Sequence, residues 1–91
     1  MQIEIYWLSV HMRTLRGVMQ HDPVQFCELE KLVESVVFDE CIFDFESVSS
    51  CLQRIRTTHW DVADFSEIEA ALVMVEFQVN MVKKLLVAQY N

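Results

Sequence analysis

The chain is poor in the residues that turn and break a backbone. It has one glycine, Gly17, and one proline, Pro23, among 91 residues. Tight hairpins lean on glycine, and loops and linkers on glycine and proline together. Their scarcity leaves little room for β-meanders or flexible tethers and favours helices with short connections. Cysteine is sparse and odd in number, at Cys27, Cys41 and Cys51, with no Cys-x-x-Cys pair. That pattern argues against a disulfide framework. It reads as free, buried thiols acting as small hydrophobes in a reducing, cytoplasmic compartment.

Basic residues are also few, seven against 14 acids, for a formal net charge of −7. Phosphate surfaces are met by Lys and Arg, so neither nucleic acid nor an anionic membrane is expected as a direct partner. No basic stretch leading into an apolar one opens the sequence, so a secretory leader is not expected. No uncharged apolar run approaches the ~18 residues of a membrane span.

Motifs of catalysis are missing as well. There is no nucleophile elbow, no Gly-rich phosphate loop and no His-Glu-x-x-His. No catalytic residue is assigned, and the chain is not expected to be an enzyme. His11, His21, His59 and the cysteines offer metal-ligand types, but no pair has the close spacing of a zinc site. No metal and no cofactor is assigned.

What the chain does hold is apolar surface. Hydrophobic residues make up 53% of it, in a domain too small to bury more than about 60–65% of its unfolded surface. The surplus is expected at an interface.

The apolar residues recur at helical spacing. Met1, Ile5, Leu8, Met12, Leu15 and Met19 step by four and three, and predict a first helix. The alternation of Ile3, Ile5 and Trp7 leaves a starting strand as the alternative. Gly17, after Arg13 and Arg16, either ends this helix or lies inside one reaching Gln20. Asp22-Pro23 marks the next start, with Asp as cap, Pro in the first turn and Gln25 three residues on. This second helix is expected to reach Phe38 with Phe26, Leu29, Val33, Val36 and Val37 inside. A break near Asp39 to Phe43, with a short extended segment near 38–43 as the alternative, precedes a third helix from about Asp44 to Thr58.

The last quarter, Ser66 to Asn91, carries the strongest pattern. Ile68, Leu72, Val75, Val79, Val82 and Leu86 form one seam, and Ser66 with Glu69 fits a capping box. Asp64 with Glu67 competes for that cap. Glu67 and Glu69 suit the positive end of the helix dipole, Lys83 and Lys84 the negative end. Beside the seam runs a second stripe, Ala70, Met74, Phe77, Met81 and Ala88, echoed in the first helix by Ile3, Trp7 and Val10. A surface helix needs only one apolar stripe.

These elements predict a single all-α domain over 1–91, a compact bundle of about four helices. The function expected is that of a small acidic protein–protein interaction module of adaptor, regulator or chaperone type. It would bury an apolar face of its C-terminal helix against a second copy, as a homo-oligomer and first of all a dimer, or against a heterologous protein. Trp7, Met74, Phe77 and Met81 are the candidate contacts, being large apolar residues off the main seams; Tyr6, Trp60 and Tyr90 are further aromatics of hot-spot type. The alternative is an acidic inhibitor or immunity protein covering a basic, nucleic-acid-binding surface of its target. It would use the acidic run from Glu28 to Glu46, with Glu30, Glu34 and Glu40 as contacts.

Overall fold

The computed structural model describes residues 1–90, the side chain of Tyr90 excepted. Asn91, to which the sequence pattern carries the last helix, and the ring of Tyr90 lie outside the described residues. Four helices follow in order: α1 (Gln2–Val18), α2 (Pro23–Phe38), α3 (Asp44–Thr57) and α4 (Val62–Tyr90). The alternating segment Ile3 to Trp7 is helical, so the strand alternative fails. The chain is an all-α bundle.

Local chemistry sets most boundaries. At the start of α2, Asp22 Oδ1 accepts from the Gln25 backbone N–H at 3.2 Å, and the Gln25 amide donates to Asp22 Oδ2 at 2.7 Å. Pro23 takes the first helical position, where no donor is needed. α2 ends as its C-cap, Asp39, donates its N–H to the Ser35 carbonyl. Glu40 then takes a left-handed conformation, φ 51°, in the role glycine usually fills after a helix. The segment 38–43 is therefore a helix end followed by turns, not an extended stretch.

Of the two readings of Gly17, the one that places it inside the first helix holds: α1 runs through it and ends at Val18. The start of the last helix is corrected. α4 begins at Val62, four residues before the expected cap at Ser66. Its first turn is closed by the Asp61 carbonyl, which accepts from the N–H groups of Asp64 and Phe65. Ser66 is exposed within the helix. Alanine, aspartate and phenylalanine in the first turn are acceptable helix residues, so nothing in 62–65 prevents the earlier start.

Polar contacts fix the order of the helices. The Gln25 amide at the start of α2 donates to the Thr58 hydroxyl beyond the end of α3. The Ser35 hydroxyl, late in α2, donates to Asp44 at the start of α3. These two helices are antiparallel. The Arg56 guanidinium donates to Glu69 and Glu76, tying α3 to one flank of α4. The Trp60 indole N–H donates to the Ile55 carbonyl at 2.8 Å, which folds the α3–α4 connection onto the core. α1 packs most extensively along α4, and α2 along α3.

The core is apolar throughout. No polar or charged residue is buried among the described residues, and no buried side-chain nitrogen or oxygen lacks a partner. Leu8, Met12 and Leu15 of α1, Met19 at its C-cap and the whole seam from Ile68 to Leu86 of α4 belong to it. The two seams share the same steps of four and three over six residues each.

Candidate protein interface

Four directions around α4 are distinguished by what lies there. Its seam faces the core. Its flank bearing Glu69 and Glu76 meets Arg56 of α3. The opposite flank, Ala71, Gln78 and Leu85, is buried or half-buried, and is the side left for α1, the helix that packs most extensively on α4. The fourth direction is free, and there the second stripe is found. Phe77 is 56% exposed and Met74 42%, Ala70 and Ala88 are exposed, and Met81 is half-buried.

The same division holds on α1. Leu8, Met12 and Leu15 point inward. Ile5, Ser9, Arg13 and Arg16 line the side toward α2. Glu4, His11 and Val18 form the half-buried flank left for α4. Just beyond that flank come Trp7, 46% exposed, with Ile3 and Val10. The Trp7 ring stacks on His11, one turn on, and meets Tyr6 edge to face. Both outer stripes therefore lie on the same outside face of the α1–α4 pair, Trp7 on one helix and Met74, Phe77 and Met81 on the other.

The acidic candidates are placed elsewhere. Glu30 accepts from Arg16 at 3.1 Å across the α1–α2 seam. Glu34 lines the groove between those helices. Glu40 sits in the α2–α3 connection. Glu28, at the head of the acidic run, is held by Arg54 at 2.7 Å. Asp44 accepts from Ser35. The run is not one continuous unpaired surface, because three of its members are engaged inside the fold.

Some features have no counterpart in the sequence reading. Val73 is exposed beside the outer stripe of α4, and Phe38 and Phe43 are exposed at the α2–α3 corner. An open groove of about 290 Å³ separates α1 from α2, with Met12, Phe26 and Val33 on its floor. No periodicity signals a groove, since its width depends on how far two helices stand apart. The cysteines also depart from expectation. Only Cys51 is buried; Cys41 is half-buried and Cys27 exposed. Cys27 directly follows Phe26, which takes the inward position, so Cys27 is turned about 100° off the core.

Among the described residues, no helix is long and apolar enough to cross a membrane, and no three His, Cys, Asp or Glu side chains cluster as metal ligands would. No protein-family model, curated protein or solved structure matches the chain.

Proposed function

We propose that this chain is a small acidic protein-interaction module whose working surface is the outer face of the α1–α4 pair. The supporting observation is the double allocation of α4. One of its stripes completes the core, with Leu72, Val75 and Val82 fully buried, while the other leaves Met74 and Phe77 in solvent. Leaving a phenylalanine and a methionine exposed side by side gives nothing to the fold. Their burial against another protein removes that apolar area from water, at about 25 cal/mol per Å². Trp7 adds an aromatic anchor of the type that dominates interface energetics. The face is nearly uncharged at its centre, which suits an apolar partner surface rather than a nucleic acid.

A photo-crosslinking residue in place of Phe77, introduced in cells that make the protein, tests this reading. Covalent adducts are expected at position 77 and not at Ser49, an exposed residue of α3. The absence of any adduct at 77 in a folded, expressed protein would refute it.

A further inference from the structure

The outer stripe of α4 continues past its apolar centre at both ends. Ala63, Glu67, Ala70, Met74, Phe77, Met81, Lys84 and Ala88 step alternately by four and three along the whole helix. All are exposed except Met81, which is half-buried. This is a complete heptad seam, about 38 Å long at 1.5 Å per residue.

The seam is also a palindrome. Its steps read the same in both directions, with the midpoint between Met74 and Phe77. Laid antiparallel on a second copy of itself, it pairs Met74 with Phe77, Ala70 with Met81 and Ala63 with Ala88. One layer in from each end, Glu67 meets Lys84 of the second copy. Large residues thus face small ones or each other at the centre, as interdigitating layers require. Opposite charges meet on both sides of that centre. In the parallel arrangement, Glu67 would face Glu67 and Lys84 would face Lys84, and like charges disfavour that pairing.

We infer that the occupant of the outer face is a second copy of this chain, docked through an antiparallel α4–α4 seam flanked on both sides of its centre by Glu67 and Lys84. The interface is isologous: the same patch serves both subunits, so it closes as a dimer and does not propagate. Trp7 and Val10 of each copy lie beside the seam and extend the apolar contact. This rests on the proposed function, because it names the partner of that same face.

Charge exchange tests the register. Glu67 and Lys84 are exposed and form no ion pair among the described residues, so Glu67→Lys and Lys84→Glu leave the fold intact, as circular dichroism would verify. Light scattering should give a dimer for the wild type. Each single variant creates two like-charge contacts and should weaken self-association by roughly tenfold or more. An equimolar mixture of the two variants should recover it, since both charged pairs are then again opposite in charge. The doubly exchanged E67K/K84E protein should dimerise like the wild type. A monomeric wild type at micromolar concentration would overturn the inference, as would single variants that dimerise normally or a mixture that recovers nothing. The two readings fail separately. An adduct at position 77 with a different protein, from a chain that is monomeric, removes the second copy and retains the docking face. No adduct at all removes both.

Discussion

Leu72 and Phe77 stand about 140° apart around α4, and the first is fully buried while the second is 56% exposed. One helix therefore offers its own control. Leu72→Ala removes buried atoms and leaves a cavity, at a cost of roughly 2–5 kcal/mol. That is a large fraction of the ~5–15 kcal/mol that holds a domain of this kind together. Phe77→Glu places a carboxylate in solvent and should leave thermal unfolding nearly unchanged, while abolishing association. Circular dichroism and light scattering on the pair read both effects. A Phe77→Glu chain that loses its helical signal would place the outer stripe in the core and end the interface assignment.

Gly17 gives the fold room to gain stability. It lies inside α1 with no need for a left-handed backbone, and an added Cβ would meet no atom within 4 Å. Glycine costs a helix interior about 0.5–1 kcal/mol relative to alanine. Gly17→Ala should raise the free energy of unfolding by about that amount in urea titrations. A loss of stability would show that the backbone at 17 departs from regular helix in solution.

Glu40 carries the opposite kind of strain. Its φ of 51° costs a residue with a Cβ about 1 kcal/mol. Glu40→Gly should be neutral or stabilising by up to about 1 kcal/mol, less the entropy of a freer unfolded chain. Glu40→Val should be destabilising, since a β-branched side chain fits this region poorly. The same Glu40→Gly change, combined with Glu34→Gln, removes two acids that make no ion pair among the described residues. Binding through the α1–α4 face should survive it. A large loss of affinity, strongest at low salt, would favour the charge-led inhibitor instead.

The periodic positions were legible because burial and spacing are the same information. Ile68, Leu72, Val75, Val79, Val82 and Leu86 are all buried, and Asp22 caps α2 as its type and place require. The start of α4 was not legible. Ser66 and Asp61 both precede acceptable helix formers, so residue type alone does not choose between them. Charge neutralisation was equally hidden. Glu28 and Glu30 find Arg54 and Arg16 on other helices, so a cluster that looks unpaired along the chain is partly paired in space. The outer seam was legible at its apolar centre, Met74 to Met81. Its charged layers were not, because Glu67 and Lys84 also satisfy the helix dipole and asked for no second explanation.

Cys51 makes the stability of the fold depend on pH. Burial pushes the Cys51 thiol above its ordinary value of 9.0; nearby Glu28 adds to the shift and Arg54 opposes it. The folded chain thus holds this proton more tightly than the unfolded one. The resulting stabilisation is complete below the ordinary thiol value and is lost as pH rises through the raised one, because unfolding then releases a proton. Urea midpoints measured at neutral pH and at about pH 10, above the usual thiol range, should fall more for the wild type than for Cys51→Ala. Equal falls would mean that the Cys51 thiol titrates normally in the fold. Thiol labelling supplies the independent check. Cys27 should react first, Cys41 more slowly, and Cys51 only at the rate at which the bundle opens. Rapid labelling of Cys51 in the folded protein would contradict the burial that raises it.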